Sequence, residues 1–350
     1  MRGTRAADSI RSLSARFAAG LAGLLLALAG GTAAAETSVT VILDRPFEGP
    51  AAAFLLPLEK GYYKAEGLNV GIDAANDPRE PIEKVAAGDY DIGFADINAL
   101  IRFRDGNSRN PVKAVFMVYN RPAFAIIGRK SRGIGSPKDL EGKRLGAPAE
   151  NDSFAVWPIF AKVNDIDISK VKIENVGMPV RDPMLAAGQV DAITGLSFAS
   201  FIDLKDKGVP VGDLTVLLMA EYGVKLYGNA IIVNPKFAAD HAEAVKGFLR
   251  AFLKGLKQTV RTPAAAIGLV MERADGASKN LELERLKMVI RDNILTPEVK
   301  ADGYGGIDTA RFSSAIDQLA LAYKFKAEKP KPEDIFDASF LPPAAERQAN

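Results

Sequence analysis

Three arginines stand in loops that follow short apolar runs. Arg45 lies in Asp44-Arg45-Pro46-Phe47-Glu48, Arg121 in Tyr119-Asn120-Arg121, and Arg181 at the end of Met178-Pro179-Val180-Arg181. A guanidinium offers a planar fork of N–H donors that meets a carboxylate, sulfonate or phosphate in a bidentate way. Aromatic side chains occupy the same or similar loops: Phe47, Tyr119, Phe154 and Phe198 present faces on which a planar molecule stacks. Asn120, Asn151, Ser153 and Ser197 add neutral hydrogen bonds, while Asp44 and Asp96 accept from an amine or ring N–H. Tyr222 suits either closure over a ligand or packing beside a hinge. Each role has a plainer alternative: loop aromatics pack, loop arginines pair with neighbouring acids, and Asp96 caps a helix. Taken together, these side chains point to non-covalent recognition of a small, anionic, planar organic molecule, such as a sulfonate, an aromatic carboxylate or a phosphorylated or free pyrimidine.

Catalysis has fewer candidates. The chain holds no cysteine and one histidine, His241, which removes disulfides, thiolate chemistry and a lipid-modified cysteine. Gly195-Leu196-Ser197-Phe198-Ala199 follows a strand-like run but lacks the last glycine of a serine-hydrolase elbow, and His241 would have to be its base. No residue set calls for a cofactor or a metal, since carboxylates alone favour hard ions. The expectation is a protein that is not an enzyme. Trp157, the one tryptophan, is expected in a core, and His241 at the surface.

The elements that must position these residues follow a regular grammar. Ala86-Ala87-Gly88-Asp89-Tyr90-Asp91-Ile92-Gly93-Phe94-Ala95-Asp96 reads as a helix end, a left-handed glycine, a short buried strand and a new helix start. Leu185-Ala186-Ala187-Gly188-Gln189-Val190-Asp191-Ala192-Ile193-Thr194-Gly195 repeats it about a hundred residues later, which predicts two similar α/β lobes. Strands at 38–43, 68–72 and 90–95 alternate with helices, the rhythm of a parallel sheet with helical crossovers. Helices dominate after residue 240, and the Lys-, Glu- and Pro-rich stretch from Lys326 is expected to be an extended strap.

Residues 1–35 read as a secretory signal peptide. Arg2, Arg5, Arg11 and Arg16 precede a 13-residue apolar run from Phe17 to Ala29, with Ala33-Ala34-Ala35 at the cleavage position. Its removal takes away four arginines and one aspartate and moves the formal net charge from +2 to −1. The basic excess therefore belongs to the leader and gives no support for nucleic-acid binding. No later stretch is long and apolar enough to span a bilayer.

Four segments carry a resemblance to a known family. Lys60-Gly61-Tyr62-Tyr63-Lys64-Ala65-Glu66-Gly67-Leu68, Ala87-Gly88-Asp89-Tyr90-Asp91-Ile92-Gly93, Asp139-Leu140-Glu141-Gly142-Lys143 and Ala187-Gly188-Gln189-Val190-Asp191-Ala192 fall in the order seen in periplasmic substrate-binding proteins of the nitrate/sulfonate/taurine and thiamine-precursor type. The resemblance extends over residues 38–340 in element order. It implies an α/β, two-lobed periplasmic binding protein fold (type II) with two hinge crossings and a ligand in the interlobe cleft. Residues 36–125 and 228–350 would form one lobe and 126–227 the other. It places the loops above at the cleft, where helix N-termini also favour an anion. It further implies a monomeric periplasmic component of an ABC importer, whose partners are a small-molecule solute, a permease and its ATPase. A sensor that presents solute to a receptor is the alternative. The eukaryotic pyrimidine synthases that share this fold use a histidine and a cysteine-rich motif, which this chain does not match.

Overall fold

The computed structural model describes residues 36–106, 111–274 and 276–349, and the architecture below is that of the unit from Thr37 onward. The expected leader, residues 1–35, lies outside the described residues. Among the described residues ten strands form two five-stranded sheets. In the first, β1 (Thr37–Leu43), β2 (Leu68–Ala74), β3 (Ile92–Asp96), β4 (Lys113–Met117) and β10 (Asn229–Val233) lie in the order β2-β1-β3-β10-β4. In the second, β5 (Phe124–Arg129), β6 (Arg144–Ala147), β7 (Lys172–Asn175), β8 (Ala192–Leu196) and β9 (Leu214–Leu218) lie in the order β7-β6-β8-β5-β9.

Within each sheet the strands joined by helical crossovers are parallel, as the alternation predicts: β1 with β2 and β3, and β6 with β7 and β8. The sheets are mixed, however. β10 runs antiparallel to β3 and β4, and β5 antiparallel to β8 and β9. Both exceptions are strands that enter a sheet from the other one through a short crossing in place of a helical crossover along one sheet. The crossings are residues 118–123 and 219–228. They run side by side, joined by Tyr119 N–H to Asn229 O at 2.9 Å and Gly228 N–H to Tyr119 O at 3.0 Å.

The sequence echo is structural. Gly88 and Gly188 both adopt positive φ, +87° and +71°. One residue type does the same job three positions on: the Asp91 carboxylate accepts from the Thr40 N–H of β1, and that of Asp191 from the Arg144 N–H of β6, at 2.8 and 2.9 Å. β3 and β8, which follow these turns, hold the third place in their respective sheets.

The helices are α1 (Ala52–Glu59), α2 (Tyr62–Ala65), α3 (Glu80–Ala87), α4 (Ile97–Gly106), α5 (Asp152–Ala155), α6 (Trp157–Val163), α7 (Met178–Ala186) and α8 (Ser197–Asp206). After β10 come α9 (Pro235–Asp240), α10 (Ala242–Arg261), α11 (Pro263–Met271), α12 (Lys279–Val289), α13 (Pro297–Asp302) and α14 (Thr309–Leu319). Side-chain alternation along β1 sends Val39, Val41 and Leu43 into one core with Phe54 and Phe252, and Ile42 into another with Ile82 and Val85. α10 supplies the apolar stripe Val245, Phe248, Leu249, Phe252 and Leu256, all buried. Pro57, inside α1, is accommodated because Gly255 of α10 faces it: a Cβ there would stand 2.4 Å from Pro57 Cδ. Trp157 is buried and His241 is exposed. The segment after Lys326 is less extended than expected: it holds short helices at Pro332–Ile335 and Ala344–Arg347, and Phe336 bridges to Ala114 of β4.

Candidate functional site

In a parallel sheet, the loops that follow the strands gather at one edge, and ligands bind there. Both sheets aim this edge at a common cavity of about 260 Å³. Asp44, Arg45, Pro46 and Glu48 reach it after β1, Asn76 and Pro78 after β2, and Asp96 from the end of β3. From the second sheet come Asn151, Asp152 and Ser153 after β6, Met178, Arg181 and Asp182 after β7, and Leu196, Ala199 and Asp203 at and after the end of β8. Phe124 and Asn229, where β5 and β10 leave the crossings, complete the wall. A larger cavity, about 940 Å³, lies between the crossings and the C-terminal segments and is lined by Lys113, Asn120, Arg311 and Arg347 among others. It touches no strand end of the second sheet, so the smaller cavity is the candidate site.

Its electrostatics are dominated by acid–arginine pairing. The buried Asp44 carboxylate accepts from Asn229 Nδ2 at 3.0 Å and from Arg45 Nη2 at 3.3 Å. Arg45 also faces Glu48 at 3.8 Å and lies over the Phe198 ring at 5.2 Å. Burial opposes the Arg45 charge, but Asp44 and Glu48 outweigh it and hold its pKa above the ordinary value. Arg181 is buried and bound bidentate by its neighbour Asp182 at 2.8 and 3.2 Å; its Nη2 also donates to Ser200 Oγ at 2.7 Å. Asp96 accepts from the Ala99 N–H at 2.9 Å, the helix-cap geometry, and from Asn98 Nδ2 at 3.1 Å. Burial, reinforced by the Asp152 carboxylate, nonetheless pushes Asp96 up to about 7. Burial likewise raises Glu48 and Asp152, against the pull of nearby arginines.

Ion pairs join the two sides across the cavity rims. On one rim Arg79 meets Glu150 at 3.1 Å and Arg102 of α4 meets Asp152 of α5. On the other, Arg285 of α12 meets Asp203 of α8 at 3.0 Å and Lys205 meets Glu284.

Of the residues singled out from sequence, Asp44, Arg45, Asp96, Asn151, Ser153 and Arg181 line this cavity. The others stand elsewhere. Arg121 is taken up by Glu298 at 2.7 Å, and Asn120 accepts from Arg311 at 2.8 Å and Thr296 at 3.1 Å, both on the side of the larger cavity. Tyr119 is core, set edge-on against Phe94 at 5.3 Å. Phe47 lies beneath the Arg273 guanidinium, Phe154 packs into the core around Trp157, and Tyr222 stands edge-on to Phe160 at 6.3 Å. Phe198 touches the site only through Arg45, and Ser197 is buried with its hydroxyl unpartnered among the described residues. The aromatics left the list for one reason: each completes a core whose other members come from distant segments. Glu48, Asp152 and Asp182 were missed although each adjoins a chosen residue, and an arginine next to an aspartate is itself a sign of local neutralisation.

The chain is 24% identical over 307 residues to the formylaminopyrimidine-binding protein of Halalkalibacterium halodurans, covering 86% of this chain and 90% of that protein. It is 27% identical over 244 residues to the 4-amino-5-hydroxymethyl-2-methylpyrimidine phosphate synthase of Legionella pneumophila, covering 68% and 74%. By structure it matches the periplasmic aliphatic sulphonate binding protein SsuA from Escherichia coli with a TM-score of 0.65 at 12% identity, over 82% of this chain and 87% of that one. The fold is thus the two-lobed periplasmic binding protein fold expected from the motifs. The expectation of a protein that is not an enzyme is corrected: a relative named as a synthase matches about as well as one named as a binding protein. The model of the NMT1/THI5-like family matches residues 51–266, more than half of the chain, and the chain belongs to that family.

Proposed function

We propose that the protein binds a small planar nitrogen heterocycle of pyrimidine type between its lobes and delivers it, in the periplasm, to an ABC permease and its ATPase. The observation that carries this reading is the cavity itself, walled by the strand ends of both sheets and rimmed by ion pairs between them. Residues 36–125 and 228–350 act as one lobe and 126–227 as the other, closing as a monomer about the crossings at 118–123 and 219–228. The volume, about 260 Å³, suits a single substituted ring. A relative named for binding a formylaminopyrimidine supports the ligand class. The sulfonate expected from the loop arginines has less support, because Arg121 is turned away and Arg45 and Arg181 are already paired. A residue 1–35 leader would export the chain. Among the described residues no helix is long and apolar enough to cross a membrane.

The test is a thermal-shift and calorimetric titration with aminopyrimidines, alkyl sulfonates, taurine and nitrate, with small-angle scattering alongside. Saturable binding of an aminopyrimidine at micromolar concentration or below, about −8 kcal/mol, with a smaller radius of gyration in the complex, is the expected result. An unchanged radius at saturation would remove hinge closure from the proposal.

A further inference from the structure

Resting on the reading of this cavity as the solute site, we infer that it selects its solute by positive charge: a planar cation with an amidine-like N–H edge enters, and carboxylates or sulfonates are excluded. Six carboxylates line the cavity, from Asp44, Glu48, Asp96, Asp152, Asp182 and Asp203, against the two guanidiniums of Arg45 and Arg181. Both arginines have their charge compensated by carboxylates. Asp182 fills the fork of Arg181, and Asp44 and Glu48 flank Arg45. Two more arginines stand just behind the lining, and they too are engaged, Arg102 by Asp152 and Arg285 by Glu282 and Asp203.

Acceptors, by contrast, remain. Glu48 Oε2 is buried with no hydrogen-bond partner among the described residues, its nearest guanidiniums, Arg45 and Arg285, both 3.8 Å away. Asp96 is 8% exposed and, among the described residues, takes only the neutral N–H groups of Ala99 and Asn98. A carboxylate in this position costs desolvation energy that a cation with N–H donors returns and an anion adds to. One donor points the other way: Arg181 Nη1 reaches only the Met178 sulfur, at 3.7 Å, which suits a ring nitrogen or carbonyl of the same solute. An amino-substituted heterocycle protonated on its ring has this pattern, donors on one edge and an acceptor on another.

Benzamidinium and benzoate are planar isosteres of opposite charge, and calorimetry with the full chain at pH 8 compares them directly. Benzamidinium is expected to bind at least about tenfold tighter than benzoate. Asp96→Asn is expected to narrow that ratio several-fold, with Glu48→Gln as the second variant should the first fail to fold. Equal affinities, a preference for benzoate, or no heat from either probe up to about 10 mM would overturn the inference. The two readings fail separately. Aminopyrimidine binding without charge preference leaves the solute-binding function standing, and benzamidinium preference without aminopyrimidine binding leaves the charge selection standing.

Discussion

Asp96 shows how one carboxylate ties the site to the stability of the protein. Its folded pKa, about 7 through burial and the neighbouring Asp152, lies above the ordinary aspartate value near 3.8. Between those values the folded state holds more protons than the unfolded state, so stability declines as pH rises from about 4 to about 7 and stays reduced above. Two other carboxyls act with the opposite sign. Hydrogen bonds from Ser131 and Arg129 hold Asp213 down at about 2. Burial pushes Glu298 up, but bonds from Arg121 and Thr296 outweigh it and hold it at about 2. Their contribution is present above about pH 4 and is lost as pH falls towards 2. Scanning calorimetry of the ligand-free protein is therefore expected to show Tm highest near pH 5, falling on both sides. Asp96→Asn is expected to flatten the limb between pH 5 and 8 and to leave the acid limb unchanged. An identical alkaline limb in the variant would show that Asp96 does not carry it.

At the scale of elements, the contact of α1 with α10 depends on Gly255 meeting Pro57. A methyl group at 255 would overlap the proline ring, with Cδ, Cγ and Cβ all within 3.0 Å. Gly255→Ala is expected to destabilise by about 1–3 kcal/mol in urea unfolding despite the better helix propensity of alanine. A gain in stability would mean that α1 shifts freely. The same scale explains what could be read from sequence. Gly88, Asp91, Gly188 and Asp191 act within a turn and one adjacent strand, so their repeat announced two like lobes. The antiparallel insertion of β10 and β5 was hidden, because strand direction there is set by residues far apart in the chain. The site divides in the same way. Loops after strands were found, and with them Asp44, Asp96 and Arg181. Arg121 was misplaced because its partner Glu298 lies 177 residues away. The anion preference rests on three loop arginines, and in the fold each of them stands beside an acid: Arg45 by Asp44, Arg121 by Glu298 and Arg181 by Asp182.

Across the whole molecule, Arg285 joins the two sides through a side chain and two backbone carbonyls at once. It is buried, and from α12 it reaches Asp203 at 3.0 Å and the Phe198 and Ala199 carbonyls at 3.4 and 3.5 Å on the opposite side. Arg285→Ala removes the counter-ion of the buried Glu282, which keeps the Gly49 N–H at 2.6 Å, an effect of about 3 kcal/mol, and is expected to enlarge the ligand-free radius of gyration and to speed solute release. An unchanged radius would show that the remaining rim pairs suffice. A different arginine governs the axis. Arg311 of α14 donates to the Asn120 side chain and carbonyl in one crossing, and to the Leu226 carbonyl in the other, with its guanidinium 3.9 Å from the Tyr227 ring. Every strand of both sheets is encoded before residue 234, yet the residue that fastens their two connections is encoded after residue 310. A stop codon placed just before residue 308 would thus yield a product that keeps all ten strands and the core helix α10 but loses α14 and its bridging arginine, leaving the sheets held by the backbone bonds between the crossings and by the rim ion pairs.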